Sequence, residues 1–552
     1  MTTVADYLIQ SLSDVGVNNY FGVQGGACAH LIQSAALGNK TQFIPVLNEQ
    51  AAGLYAHGHY KSTQEISGAI VTTGPGFFNL MTGIAACYYD RVPLVVLCGQ
   101  VNSQSNLADH YGVRMYGFQE AEHALIAENI SVQSIQVSDS SSLCHALTRI
   151  NDISNLNGPL FLDIQDDLQR QDIDDLIGEF SSVKGQRSVA FNISGAAEST
   201  LDILTHKKRP VFLVGAGVCS SAFDYINEFS RAHNIPILFS WGAQFLMDSG
   251  NLLHQGIFGN HSPGQGNDLL KQSDQLICLG LSLLQHQVGQ DRGVFAPNAD
   301  ILFVNNDLAE CSRVGIDFSP RAIAYQSDAL EFSRLLVDSS ERSDKKFWNE
   351  QVWDFPWGGG FEWPHVNGAV KCLMDVLRGC PNNSIVFSDA GATLSWTYQA
   401  ANLVESPPVY TAYNLHTMGY AIPAAIGSVI TTKETSVVIT GDGGFMMNVQ
   451  ELAQATHRNI KTIVLDNKGY GIIRQTQNDF LGGRHAGSSM EFSKAPLPRY
   501  DVASLTEAFG IPTKRCGPSN LSEAINWLFK DRKARCVVID IDPDLIVEGV
   551  GI

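Results

Sequence analysis

Apolar residues along this 552-residue chain cluster in short unbroken runs rather than alternating with polar ones. FIPVL (43–47), GAIVTT (68–73) and PLVVLCG (93–99) are of this kind. A continuous Val/Ile/Leu run suits a strand buried on both faces of a parallel sheet, where neither side meets water. Stretches with apolar residues at helical spacing lie between the runs. The theme recurs in a second block starting near Arg187 (RPVFLVGAG, IPILFSWG, DQLICLGL, ILFVNND) and in a third (SIVFSDAG, TSVVITGDGG, IKTIVLDNKGYG, ARCVVIDID). Between these two blocks SSERSDKK (339–346) is polar and charged, and is expected to be a linker or the end of a surface helix. Strand runs end in Gly, Asp or Asn, and a helical pattern follows most of them. That is the order of open α/β sheets, whose ligands sit beyond the carboxyl ends of the strands. The expected fold is α/β, with three consecutive doubly wound parallel-sheet domains at 1–182, 183–345 and 346–552.

Composition narrows the class. A chain this long exceeds one ordinary hydrophobic core. With 44% hydrophobic and 16% charged residues it is neither disordered nor fibrous. The formal net charge of -19 disfavours sequence-independent binding to nucleic acid, which needs an excess of Lys and Arg. MTTVADYLIQSLSDVGVNNYFGV carries apolar positions at helical spacing without a basic lead or cleavage site, so no secretory leader is expected, and no apolar run reaches membrane-spanning length. Eleven cysteines are scattered singly, without metal-ligand spacing, as expected of reduced thiols in the cytoplasm.

Candidate chemistry concentrates in VVITGDGGFMMNVQEL. Val437–Thr440 reads as a strand, Gly441–Gly444 as a turn, and Met446 onward as a helix. Glycines at such a turn leave backbone N–H groups free to cradle an anion. Asp442 would repel that anion unless a cation stood between them, and oxygen ligands suit Mg²⁺. IKTIVL brings Asp466, Asn467, Lys468 and Gly469 to the same sheet end, where the Asn467 amide oxygen and the Gly469 carbonyl complete a ligand set. A lone GDGG is usually structural; the second loop makes it a candidate site. Glu49, between FIPVL and a Gly/Ala-rich helix, reads by itself as an acid favoured by a helix N-terminus.

The GDGG…DN pair resembles the cofactor motif of the thiamine diphosphate (ThDP) enzymes, with Asp466 replacing the first of the usual two asparagines. VGVNNYFGVQGG, NEQAAGLYAHGHY, TTGPGFFNLMTGIAACYYDRVPLVVLCGQV, GFQEAEH, RPVFLVGAG, HTMGYAIPAAIG and PRYDVASLTEAFG resemble, in order and over nearly the whole chain, the acetohydroxyacid synthase and pyruvate oxidase branch. The resemblance implies a pyrimidine-binding, a central and a diphosphate-binding domain, with ThDP and Mg²⁺ bound. Asp442, Asn467 and Gly469 become the metal ligands. Glu49 becomes the acid that bonds the aminopyrimidine so that the thiazolium C2 proton can leave. The family supplies that acid from a partner chain, which implies at least a homodimer, with a tetramer as the larger option. Met418 matches the apolar wedge that bends the cofactor, and the His416 carbonyl is expected to receive the 4′-amino group. Thr393 either touches the diphosphate or caps a helix. Gly25, Gly441, Gly443, Gly444 and Tyr470 complete the expected cofactor contacts.

The resemblance further implies decarboxylation of a 2-oxo acid, with pyruvate expected. Aldehyde-releasing relatives have a His-His pair and an acid at the first glycine turn. Here that turn is GVQGGACA and no histidines are adjacent, so carboligation to a carbonyl acceptor is favoured, as in acetolactate synthase. Gln119 matches a polar residue that contacts substrate or intermediate, Asn79 is a candidate polar contact at the reaction centre, and Glu120 is either a supporting charge or a solvated helix residue. Phe77 and Phe78 are expected to line the pocket or the core, and His57, His59, His110 and His123 read mainly as packing. Some departures weigh against copying the synthase assignment whole. HALIAENISVQSIQV replaces an Arg-Pro…Thr-Lys run, Gln24 stands in place of proline, and QHQVGQ lacks the Arg-Phe-Asp pattern of flavin-bearing middle domains. FAD is therefore an open alternative. Simple decarboxylation, acyl transfer to a keto sugar and a noncatalytic homologue are the other readings.

Overall fold

The protein is described by a computed structural model covering residues 2–176, 193–262, 265–341, 366–491 and 494–549. Both expected domain boundaries lie outside the described residues. So does most of SSERSDKK, whose first three residues end the Ala329–Glu341 helix.

Three six-stranded sheets carry the chain, in strand orders β2-β1-β3-β4-β6-β5, β12-β11-β10-β7-β8-β9 and β14-β13-β15-β16-β18-β17. The first is made of β1 Asn19–Gly22, β2 Gln42–Pro45, β3 Ser67–Val71, β4 Leu94–Gln100, β5 Gln133–Val137 and β6 Pro159–Gln165. The second is made of β7 Pro210–Val214, β8 Ile237–Phe239, β9 His254–Ile257, β10 Gln275–Leu279, β11 Asp300–Asn305 and β12 Ala322–Gln326. The third is made of β13 Ser384–Ser388, β14 Val409–Tyr410, β15 Thr435–Gly441, β16 Ile460–Asp466, β17 Thr513–Cys516 and β18 Arg535–Asp540. Neighbouring strands pair in parallel, as in β3 with β4 and β15 with β16. The first and third sheets share one topology, so the fold repeats itself where the sequence shows only a recurring run pattern. Strands β3, β4, β6 and β16 are buried at every position, as unbroken apolar runs require. FIPVL is the exception. Its strand stops at Pro45 and lies at the sheet edge, where a residue without an N–H is tolerated.

The described chain divides into two compact units, one from the described parts of 1–187, 381–394 and 410–543, the other from 188–380, 395–409 and 544–552. In the second unit, separate apolar clusters cover the two faces of the β7–β12 sheet. In the first, one core joins Phe21, Tyr55 and Phe77 to Phe387, Tyr420 and Phe445.

At the centre of the first unit is the Glu49–Thr63 helix, buried continuously from Ala51 to His59 because it has neighbours on more than one side. Its Gly53 meets Gly83 of the Pro75–Tyr89 helix, and its Gly58 meets Ala424 of the Ala421–Ser428 helix. A Cβ on Gly53 would stand 2.6 Å from the Gly83 backbone, and one on Gly58 2.1 Å from the Ala424 carbonyl. Glycine there brings helix backbones together and fixes where the first helical residue, Glu49, emerges.

Candidate active site

Asp442 stands where β15 ends, as the first residue of the Asp442–Met447 helix. The turn expected at 441–444 is therefore helical from its second residue, and the helix expected from Met446 begins earlier. Gly443 leaves room for the Tyr470 ring, which lies 2.2 Å from where a Cβ would be. On the adjacent strand β16, Asn467 follows the last strand residue, and Gly469 at φ 154 closes the loop. A Cβ on Gly469 would lie 2.2 Å from the Ser488 carbonyl oxygen, so no other residue fits there unaltered.

The Asn467 amide oxygen sits 2.6 Å from the Gly469 carbonyl oxygen and 3.3 Å from Asp442 Oδ1, while its nitrogen lies 3.2 Å from Arg474 Nη2. Oxygen thus faces oxygen, and donor faces donor. Turning the amide over relieves both conflicts, since its nitrogen then donates to both oxygens and its oxygen accepts from Arg474; a cation among the three oxygens would relieve only the oxygen contacts. Asp442 Oδ2 is buried without a hydrogen-bond partner, which favours the cation. Burial, with the neighbouring Asp466 charge adding, pushes the Asp442 carboxyl up to about 7. A divalent ion would reverse that push. The donor set, a carboxylate, an amide oxygen and a backbone carbonyl, is the hard-oxygen chemistry that Mg²⁺ takes.

Asp466 points elsewhere. Its Oδ2 is 2.5 Å from Lys468 Nζ and 2.9 Å from Arg515 Nη1, and Arg515 also pairs with Asp501 and Asp540. The departure from the usual asparagine is thus absorbed by local ion pairs.

Asn48 caps the Glu49–Thr63 helix through its side chain, so Glu49 is the first helical residue rather than the cap. Its Oε2 accepts a 3.0 Å hydrogen bond from Asn79 Nδ2. Gly76 lies alongside, with its Cβ position 3.6 Å from Glu49 Oε1. Gln119 adopts φ 63, and its carbonyl accepts the Thr73 hydroxyl at 2.8 Å. Glu120 is buried, which removes the solvated-helix reading. It accepts from the N–H groups of Ala108, Tyr116 and Gly117 at 2.7–2.8 Å. Against the upward push of burial, these backbone donors hold its carboxyl low.

Met418 is 36% exposed and, with Gln50, Met81, Thr82, Ala85, Ile130, Leu415 and Thr417, lines an open hollow of about 460 Å³. His416 has φ 51, and burial draws its imidazole down. Thr393 is the second residue of the Ala392–Leu403 helix, with Oγ1 3.2 Å from the Cβ position of Gly441. Gly25 packs on Thr72. Phe77 is core, whereas Phe78 is 47% exposed.

The sequence reading passed over the acids behind these groups. Asp389, just past β13, accepts from Gly419 N–H at 2.8 Å and Ala390 N–H at 2.9 Å through Oδ1, and from Thr440 Oγ1 at 3.1 Å through Oδ2. It ties the Met418–Gly419 turn to the end of β15, and burial pushes it up to about 6. Glu451 accepts from Leu47 N–H and Tyr55 Oη. His57 joins Tyr420 Oη at 2.9 Å to Asp90 Oδ2 at 3.1 Å. The available signal for Asp389 was an acid at a strand end, as in GDG.

The described structure therefore forms two groupings: Asp442, Asn467 and Gly469 with Gly443 and Tyr470, and Glu49 with Asn79 on helices that reach back toward Gln119. Comparison with known proteins agrees with this division. Family profiles for thiamine pyrophosphate enzymes match the chain at residues 2–125 (N-terminal TPP binding domain), 197–332 (central domain) and 389–541 (C-terminal TPP binding domain). Curated relatives include the acetolactate synthase large subunit of Corynebacterium glutamicum, 28% identical over 98% of this chain and 86% of the relative. The Lactococcus lactis large subunit is 26% identical over 96% and 91%. The isozyme 2 large subunit of Escherichia coli is 27% identical over 92% and 89%. With all three parts matched in order and each on its own six-stranded sheet, the chain belongs to the thiamine pyrophosphate enzyme family.

Proposed function

We propose that the protein catalyses ThDP- and Mg²⁺-dependent decarboxylation of pyruvate and joins the two-carbon product to a second carbonyl compound, forming acetolactate when that compound is pyruvate. The observation that carries the reading is the buried, unpartnered Asp442 Oδ2, with the Asn467 amide and the Gly469 carbonyl beside that carboxylate. Names of full-length relatives support the choice of reaction.

Bound ThDP supplies the electron sink for loss of CO₂. Asp442, Asn467 and Gly469 are assigned to the metal. Gly441, Gly443, Gly444, Thr393 and Tyr470 are assigned to the diphosphate end, and Gly25, the His416 carbonyl and Met418 to the pyrimidine and thiazolium. Glu49, oriented by Asn79, exchanges a proton with the aminopyrimidine, a role that needs a carboxyl within hydrogen-bond reach of it. Gln119 contacts the reacting carbonyls. The assembly is assigned as at least a homodimer, with a tetramer as the larger option, in which Glu49 serves the partner's cofactor. Flavin is assigned no step, because QHQVGQ lacks the Arg-Phe-Asp pattern of flavin-bearing middle domains, and FAD stays an open alternative.

Proton NMR of products after adding ThDP, Mg²⁺ and pyruvate, with and without aldehyde and keto-sugar acceptors, tests the proposal. Acetolactate from pyruvate alone is expected. A product formed only with another acceptor replaces the ligation partner, and absence of CO₂ release with every acceptor refutes the reading. Glu49→Gln is expected to retain the fold and lose cofactor C2 proton exchange; normal exchange would remove Glu49 from that role.

A further inference from the structure

Behind the Thr73–Gly76 turn lies a buried pair that the proposed reaction does not use. His123 opens the His123–Ala127 helix and is fully buried, and Asp163 on β6 is 1% exposed. His123 Nε2 accepts the Gly74 N–H at 2.9 Å, so the ring proton is on Nδ1, which lies 3.1 Å from Asp163 Oδ1. The Gln100 amide nitrogen is 3.0 Å from Nδ1 but has carbonyl and carboxylate acceptors in Ala121 O at 2.8 Å and Asp163 Oδ2 at 3.1 Å. Phe77 packs edge-on against the imidazole at 5.1 Å. Cys98, His123 and Asp163 have ligand atoms within 4.8 Å of one another, a spacing open to a metal. With Nε2 taken by the Gly74 N–H and Nδ1 facing Asp163, the imidazole serves this cluster through hydrogen bonds.

On its other side the same turn carries the reaction-centre candidates. Thr73 Oγ1 holds the Gln119 carbonyl, and a Cβ on Gly74 would touch that carbonyl at 2.8 Å, so Gln119 rests on the Gly74 backbone. Gly76 and Asn79, on the helix that Gly74 caps, face Glu49. Gly74 has φ 64 and ψ -117, the mirror image of the extended region, which glycine adopts without strain and a residue with a Cβ does not.

We propose that His123 and Asp163 are positioning residues: the neutral, Asp163-oriented imidazole holds the Gly74 N–H and thereby sets Gln119 for ligation. The inference rests on the proposed function only in placing Gln119 at the reaction centre.

The test uses the full-length protein and the variants His123→Val, His123→Gln and Thr73→Val, the last removing the hydroxyl that holds Gln119 if His123→Val fails to fold. Hydrogen exchange of peptides spanning 72–80 and 113–120 is expected to accelerate in His123→Val and to return toward wild type in His123→Gln, whose amide can both accept from Gly74 and donate to Asp163. With ThDP, Mg²⁺ and pyruvate, His123→Val is expected to lower kcat roughly ten- to a hundredfold, the scale of an ångström misplacement, with ThDP affinity little changed. His123→Val/Gln119→Ala is expected to be no slower than Gln119→Ala alone, because both act through one group. Wild-type exchange in both segments of His123→Val, or losses that multiply in the double variant, overturns the inference. If the wild-type protein leaves pyruvate untouched, the pyruvate reading falls and the exchange data alone decide the positioning role.

Discussion

Gly53→Ala places one methyl group at the closest approach of two helices and reads out how tightly packing sets the candidate site. The new Cβ would lie 2.6 Å from the Cα and carbonyl carbon of Gly83 and 3.0 Å from its oxygen. Ordinary contact begins near 3.4 Å, so the Glu49–Thr63 and Pro75–Tyr89 helices must separate by close to an ångström, and backbone cannot rotate aside as a flexible side chain would. Overpacking of this kind costs about 1–3 kcal/mol, offset by about 0.8–1 kcal/mol because alanine favours a helix over glycine. A net loss of about 0–2 kcal/mol is expected. Function should suffer more. Glu49 and Asn79 are on the two helices being parted, and their 3.0 Å hydrogen bond does not survive a shift of that size. A misplacement of about 1 Å at a reacting group costs on the order of a hundredfold in rate. Denaturant midpoints give the stability change, and cofactor C2 proton exchange with pyruvate turnover gives the functional one. Turnover within about twofold of wild type in a folded Gly53→Ala protein would refute the claim that this contact positions Glu49.

Asn79→Ala, which removes the donor to Glu49 without parting the helices, is expected to slow C2 proton exchange with little loss of stability, as measured by deuterium incorporation into bound ThDP. Asp442→Ala, or EDTA treatment of the wild type, is expected to abolish Mg²⁺-dependent ThDP retention in a gel-filtration assay; undiminished retention in both cases would remove Asp442 from the metal. Asp389 in the fold titrates near 6 against 3.8 unfolded, so the unfolded chain releases its proton first and stability falls as pH rises through that window. Relative to Asp389→Asn, the wild type should lose about 1–2 kcal/mol between pH 5 and 7, read from urea midpoints at the two values.

Much of this fold was legible in the chain. PLVVLCG and IKTIVL read as strands shielded on both faces, and GDGG with DNKG marked two strand ends carrying candidate oxygen ligands. Adjacent pairing of β15 and β16 brings those ends together. Glu49 was legible only through the resemblance, because an acid at a helix start is commonplace. Glu120 was misjudged in one of its two readings because three backbone donors that bury it come from a folded loop, not from helical periodicity. Asp389, Asp163 and Glu451 were passed over for a related reason: each bonds to groups far away in sequence, 30 residues in the case of Asp389 and Gly419, 40 for Asp163 and His123, and 396 or more for Glu451 with Tyr55 and Leu47.

By itself the sequence determined the α/β class, the recurring strand-and-helix blocks and the identity of the metal-ligand candidates, since each follows from local hydrophobic period or from residue types at a strand end. Tertiary structure decided the starting point of the 442–447 helix, the glycine contacts that aim Glu49, and the tautomer of His123. These depend on atoms brought within bonding or collision distance by folding, and no local pattern records which distant backbone will arrive there.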